Sequence, residues 1–344
     1  MNGIEALLVA FGVLVLGFWL LVRGADTFVE GSSAVAKRLR VPPLIIGLTI
    51  VSMGTSLPEL AVSVTAALAG SNEVAISNVT GSNVFNLMVV CGVSAFFAPM
   101  EVSPETRRRE LPFSIFCAAL MAVFGLTGEA EGPGVVGQIG HIEGCILLTL
   151  FVLFLLYTVR MAQAAREDAP KELESAEPLP SVPKSLFQIV AGIIAIKFGG
   201  DFVVGGDAEL FGHAVSYGAV AIARFFGMSE TLIGLTIISV GTSLPELVTS
   251  VVAAGKGEVE MALGNVLGSN VFNILFILGT TTAIHPVSFT MENLVDDLTL
   301  IAFSLLVWRL AATDDGRLVR REGIVMLLCY AAFIGYALYR VYGV

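Results

Sequence analysis

The chain has 344 residues, 56% hydrophobic and only 14% charged, with a formal net charge of −10. A soluble domain carries roughly 25% charged residues, so this composition, with a mean hydropathy of +0.86, excludes a soluble protein. The net charge carries little meaning until it is divided between the two sides of a membrane.

Apolar windows long enough to cross a bilayer predict ten helices, near 4–22, 42–69, 73–98, 110–127, 142–159, 186–204, 229–254, 258–283, 296–311 and 322–341. The first has no basic stretch before it and no small-residue cleavage site after it, so it reads as a retained span. Cys91, Cys117, Cys145 and Cys329 lie singly in apolar stretches and read as small buried residues, with no disulfide or zinc framework. The polar stretch from Ala162 to Lys184 is rich in Glu, Pro and Ser and reads as a flexible linker. It divides the chain into 1–161, a linker over 162–185, and 186–344.

Basic residues set the orientation. The loops after helices 1, 3, 5, 7 and 9 are expected to hold 16 of the 19 Lys and Arg, among them Arg23, Lys37, Arg38, Arg40, Arg160, Arg166 and Lys256. The positive-inside rule makes that side cytoplasmic and puts both termini outside. The opposite loops carry Glu73, Glu129, Glu131, Asp207 and Glu209, an acidic face that either concentrates cations or only solubilises.

Shifting the sequence by 187 residues aligns it with itself: 28 of 46 positions match between the block 47–92 and the block 234–279. The second half carries about 12 extra residues between Val204 and Tyr217. Five predicted helices separate the copies, so they enter the membrane from opposite sides. The expected fold is an all-α polytopic membrane protein, two inverted five-helix repeats with broken helices near the midplane, where such folds hold their ions. The identities fall on Gly, Thr, Ser, Pro, Glu and Asn, whereas a repeat kept for packing would preserve apolar volume.

The chemistry lies in two motifs. In Gly54-Thr55-Ser56-Leu57-Pro58-Glu59, Pro58 cannot donate to the carbonyl of Gly54, so the helix is expected to break there. Pro245 repeats this beside Gly241 and Thr242. Ser52, Ser56, Glu59 and Ser63 share one helical face, as do Ser239, Ser243, Glu246 and Ser250. In the next helices, Asn78, Ser82 and Asn86 step by four, and so do Asn265, Ser269 and Asn273. These stripes offer only oxygen ligands, which select a hard cation; flexible mixed oxygens at about 2.3–2.6 Å suit Ca²⁺ better than Mg²⁺. Two glutamates balance one Ca²⁺, and once it leaves they repel, so monovalent cations or protons must replace it. Two plainer readings stand beside this one. Ser56 and Glu59 have the S-x-x-E form of a capping box, and Asn86 and Asn273 suit hydrogen bonding between helices.

The paired GTSLPE and GSNVFN motifs resemble the two alpha-repeats of the Ca²⁺/cation antiporter superfamily, specifically the prokaryotic sodium/calcium exchangers. The resemblance covers nearly the whole chain. It implies that Glu59 and Glu246 are the principal Ca²⁺ ligands and that Thr55 and Thr242 contribute through their carbonyls. It further implies that Ser56, Ser82, Ser243 and Ser269 flank Na⁺ sites, and that Ser52 and Ser239 offer backbone oxygen. Helices 1 and 6 are implied to slide past the core. One departure is that this chain has Asn at both 86 and 273, where relatives often carry Asp at one position.

The expected function is therefore Ca²⁺ exchange for Na⁺ by alternating access, with H⁺ as the alternative counter-ion. The expected location is a cell membrane, the inner membrane of a prokaryote. The expected partners are the transported ions and the bilayer, with no cofactor, nucleic acid or obligate protein partner. A channel fits poorly because both halves of the ion site lie in one chain as an inverted pair. An enzyme fits poorly because the spans hold no nucleophile with a base and no His/Glu metal cluster.

Overall fold

The computed structural model describes residues 3–68, 72–128, 134–168, 180–210, 213–228, 237, 239–313 and 316–342. Helix α1 (Gly3–Leu39) has 37 residues and is about 55 Å long at 1.5 Å per residue. It runs straight through Arg23, so the first predicted loop begins only at Arg40, whose φ of 56° turns the chain. Lys37 and Arg38 lie in the last helical turn, where cations meet the negative end of the helix dipole.

After Pro42, α2 (Pro43–Ile46) passes through a π-helical turn at Gly47–Val51 into α3 (Ser52–Thr55). The chain then breaks at Ser56, and α4 (Leu57–Leu68) leaves at 48°. This is the break that Pro58 predicts. Helix α5 (Asn72–Phe85) continues through a π-helical turn at Asn86–Val90 into α6 (Cys91–Phe97). Strand β1 (Met100–Glu101), α7 (Pro104–Arg108), α8 (Glu110–Thr127) and β2 (Val135–Ile139) follow. Helix α9 (His141–Asp168) outruns its predicted span, so Arg160 and Arg166 lie on a helix and not in a loop.

The second half opens with α10 (Val182–Val204). The extra residues form a hairpin of β3 (Gly206–Leu210) and β4 (His213–Tyr217), followed by α11 (Gly218–Phe225). The motif helices are α12 (Ser239–Gly241), α13 (Leu244–Gly255) and α14 (Val259–Phe272), then a π-helical turn at Asn273–Leu278 and α15 (Gly279–Ile284). Strand β5 (Val287–Thr290), α16 (Met291–Leu310), β6 (Arg317–Leu318) and α17 (Arg320–Tyr342) complete the chain.

The fold is mainly helical, but the all-α expectation needs correcting. Among the described residues there are three antiparallel two-stranded ribbons, β1 with β6, β2 with β5 and β3 with β4. Loops that meet at one end of the molecule satisfy their backbone groups by pairing. Ribbon β1–β6 joins the loops after predicted helices 3 and 9, and β2–β5 joins those after helices 4 and 8.

Among the described residues, seven helices are long and apolar enough to cross a membrane, and the bent pair Pro43–Thr55 with Leu57–Leu68 makes an eighth. Of the remaining predicted spans, 229–254 lies partly outside the described residues, and its apolar helix α13 is short. The ninth is present as α16, whose Glu292, Asp296, Asp297 and Arg309 lower its apolar character.

Burial ranks the helices. In an apolar 18-residue stretch of each span, 94% of residues are buried in Val259–Ile284 and 78% in Ala75–Phe97, against 17% in Glu5–Leu39 and in Arg320–Arg340. The two Asn-bearing helices are therefore the centre of the bundle, and α1 and α17 are its rim. Leu8, Phe11, Val15 and Trp19 on α1 are exposed, an apolar surface suited to lipid. Helices α1 and α10 run antiparallel with backbones nearly touching: a methyl group on Gly24 would meet Ile196 N at 2.8 Å, and one on Gly199 would meet Leu21 N at 2.6 Å. Small residues permit that approach between membrane helices.

Candidate cation site

The two breaks bring the GTSLPE motifs together across the repeat boundary. Ser56 Oγ donates to Glu246 Oε1 at 2.7 Å, and Ser243 Oγ donates to Glu59 Oε1 at 3.2 Å. Each serine thus serves the glutamate of the other repeat. Glu59 is 1% exposed and Glu246 0%. Ser243 stands at the start of α13 yet makes no side-chain cap bond, so the capping-box reading fails at that copy. Its hydroxyl goes to a carboxylate instead.

The following helices hold this pair in place by the same contacts twice. Asn78 Nδ2 donates to Glu59 O at 3.3 Å and to Ser63 Oγ at 2.9 Å. Asn265 Nδ2 donates to Glu246 O at 3.4 Å and to Ser250 Oγ at 2.9 Å. Asn265 Oδ1 also accepts from Thr55 Oγ1 at 3.2 Å. The backbone of each glutamate is therefore pinned from the neighbouring helix, which fixes where its carboxylate can point.

The remaining candidates divide into satisfied and unsatisfied groups. Ser269 Oγ lies 3.1 Å from Ser56 Oγ and joins the central cluster. Ser52 Oγ donates to Leu48 O at 3.0 Å and so bonds its own helix. Its carbonyl accepts from Ser56 N at 3.0 Å and from Thr55 Oγ1 at 3.3 Å. Thr242 lines a neighbouring cavity with Thr55. The side chain of Ser239 lies outside the described residues. Among the candidate residues, the buried oxygens with no hydrogen-bond partner are Glu59 Oε2, Glu246 Oε2, Thr242 Oγ1, Ser82 Oγ, Asn86 Oδ1 and Asn273 Oδ1. A buried polar atom left unpaired costs free energy. Unpaired oxygens of this kind, two of them on carboxylates, are the donor type that a hard cation takes. Among the described residues no three His, Cys, Asp or Glu side chains gather, so two carboxylates and neutral oxygens are the whole chemistry available here.

Two residues escaped the sequence reading. Asn83 and Asn270 clasp the repeats, each Nδ2 donating to the other's carbonyl at 3.3 Å. Asn83 Oδ1 also accepts from Asn273 Nδ2 at 3.0 Å. The signal was present, since both belong to the repeated GSNVFN, but they sit one residue off the polar stripe. The π-helical turns that begin at Asn86 and Asn273 were equally hidden, and such turns are frequent at functional sites. A second repeat-related acid pair lies outside this centre. Glu110 and Asp297 are buried, and Glu110 Oε2 and both oxygens of Asp297 have no partner.

Comparison with known proteins gives a consistent picture. A family model described as sodium/calcium exchanger protein matches residues 9–160 and 184–339. The putative antiporter CaxA of Alkalimonas amylolytica is 39% identical over 96% of this chain and 98% of its own length. The sodium/calcium exchanger MaX1 of Methanosarcina acetivorans is 32% identical, covering 95% of this chain and 97% of its own. A solved structure of the sodium-calcium exchanger NCX_Mj, soaked with 2.5 mM Na⁺ and 0.1 mM Ca²⁺, superposes with a TM-score of 0.77 at 31% identity, over 95% of this chain and 97% of that one.

Proposed function

This chain belongs to the sodium/calcium exchanger protein family, and from that premise we propose that it exchanges Ca²⁺ for Na⁺ by alternating access. The observation that carries the reading is the reciprocal pair, Ser56 on Glu246 and Ser243 on Glu59, with one unpartnered oxygen left on each carboxylate. The proposed Ca²⁺ ligands are Glu59 and Glu246, with oxygens from Thr55, Thr242, Asn86 and Asn273. Ser56, Ser82, Ser243 and Ser269 flank the Na⁺ positions, and Ser52 and Ser239 lend backbone oxygen. Two carboxylates repel when the divalent ion leaves, so the empty carrier turns around only when monovalent cations replace it. That requirement couples the two fluxes. No cofactor and no protein partner are needed, and the chemistry is transport without catalysis.

The proposed architecture is two inverted five-helix halves whose expected linker, 162–185, shortens to the stretch between α9 and α10 because helix takes up its first seven and last four residues; the linker lies in the cytoplasm of a prokaryotic cell, with both termini outside. The meeting of alternate loops in ribbons β1–β6 and β2–β5 supports it. Single cysteines in the linker are expected to react with a membrane-impermeant reagent only from the cytoplasm, and cysteines within 135–139 only from outside. Reaction of both from one side would sink the inverted arrangement.

The coupling ion is tested in proteoliposomes with radiolabelled Ca²⁺. Uptake is expected with an outward Na⁺ gradient and not with a pH gradient alone. The names of MaX1 and NCX_Mj support Na⁺. Uptake driven by the pH gradient and indifferent to Na⁺ would assign H⁺ instead.

A further inference from the structure

The two repeats are related in sequence, but their seams with α1 and α10 differ. Helix α1 packs along α13 of the second repeat. The repeat-related pair is α10 and α4, since an offset of 175 residues carries Gly17, Gly24 and Asp26 onto Gly192, Gly199 and Asp201. There the helices stand apart across a cavity of about 620 Å³, lined by Pro58, Ala61 and Val62 on one side and Lys197, Asp201 and Val204 on the other. The cavity reaches Thr55 and Thr242 beside the candidate site and ends near Gly205 and Tyr217 at the β3–β4 hairpin.

Charges close the first seam. Lys256 Nζ, just past α13, lies 2.6 Å from Asp26 Oδ1 and 3.0 Å from Glu30 Oε1 of α1. Two residues on, Glu258 accepts from Ser33 Oγ and lies 3.4 Å from Lys37 Nζ. Among the described residues the other seam shows no such set. In the sequence, the repeat counterparts of Lys256, Glu258 and Glu30 are Ala69, Ser71 and Gly205, none of them charged. Asp201 persists, but it pairs with Lys197 of its own helix at 2.6 Å.

We propose that Lys256, with Asp26 and Glu30, is a one-sided latch that holds the carrier closed at the Lys256 face and open at the hairpin face, and that it must part in every turnover. The proposal rests on the alternating-access reading. A single exposed ion pair contributes little. Here one ammonium bridges two carboxylates, and a second pair and a hydroxyl bond lie within one turn. All of these contacts span the same seam, so together they bias a two-state element. A ligand or contact present in one state alone shifts the population by its own differential free energy. Loss of the latch must therefore favour the state open at the Lys256 face.

The test measures the apparent Ca²⁺ affinity at each face, in right-side-out and everted vesicles carrying the full chain. Lys256→Met is expected to shift the ratio of the two affinities by roughly threefold or more toward the Lys256 face. The charge swap Lys256→Asp with Asp26→Lys is expected to return the ratio toward the parent's. A purely structural role for Lys256 would lower the amount of folded carrier and leave the ratio per folded molecule unchanged. Should the variant not fold, the parent is measured with an impermeant, non-transported salt at low and high ionic strength. Screening shortens the reach of charge to a few ångströms, and the ratio is expected to move the same way. An unchanged ratio in Lys256→Met, or in the salt series, overturns the latch. A parent without coupled exchange would instead overturn the antiporter reading.

Discussion

Glu59→Gln and Glu246→Gln are each expected to abolish Ca²⁺ binding and transport while the protein still folds and inserts. Glutamine keeps the volume of glutamate and an acceptor oxygen for the opposing serine, so the bonds from Ser243 and Ser56 survive. What disappears is one of two negative charges facing a divalent ion. At an effective dielectric of about 20, a unit charge pair 4 Å apart interacts by about 4 kcal/mol, roughly three orders of magnitude in affinity. The measurements are calorimetric Ca²⁺ binding and vesicle uptake, each normalised to monodisperse protein. A capping role predicts the contrary, because glutamine completes a capping box as well as glutamate does. Near-parental uptake by either variant would remove that glutamate from the ligand set.

The parts of this fold that follow from local chemistry were legible in the sequence. Pro58 and Pro245 forbid a backbone bond wherever they lie, so the position of each break could be read directly. The spacing of Ser56, Glu59, Ser82 and Asn86 assigned faces because helical periodicity is a local property. Which copy each serine would serve was not local. Ser56 and Glu59 are three residues apart, yet the structure bonds Ser56 to Glu246. That pairing depends on how two broken helices cross, and spacing within one helix says nothing of it. Asn78 and Asn265 show the same limit. They share stripes with Ser82 and Asn86 and with Ser269 and Asn273, yet their amides are spent on the carbonyls of Glu59 and Glu246. Helices α1 and α9 are longer than their apolar windows, because charged residues such as Arg23 and Arg160 end a window without ending a helix. A helix that projects beyond the hydrocarbon layer can carry them. The ribbons were hidden too, since β1 and β6 are two residues each and form only because distant loops meet.

Asn86 and Asn273 occupy one position of the repeat, and their environments predict effects of opposite sign. Asn273 Nδ2 donates to Asn83 Oδ1 at 3.0 Å. Both polar atoms of the Asn86 side chain are buried without a partner. Asn273→Leu leaves Asn83 Oδ1 buried and unpaired, and Asn83 cannot turn its amide over without losing the bond from its Nδ2 to Asn270 O. The expected cost is about 1–3 kcal/mol of stability. Asn86→Leu replaces an unsatisfied amide by an apolar group of the same branched shape, which removes a desolvation penalty and loses no bond. The ion-free Asn86→Leu protein is therefore expected to unfold at a higher temperature than the parent, and Asn273→Leu at a lower one. If the Asn86 oxygen is an ion ligand, Asn86→Leu must also weaken Ca²⁺ transport per folded molecule. It must also lose most of the stabilisation that added Ca²⁺ gives the parent, since a ligand raises stability only through the site it binds. Thermal unfolding with and without Ca²⁺, alongside vesicle uptake, reads all of these. A more stable Asn86→Leu that transports as the parent does would place this amide outside the ion site. A less stable one would give it a packing role that its lack of partners does not predict.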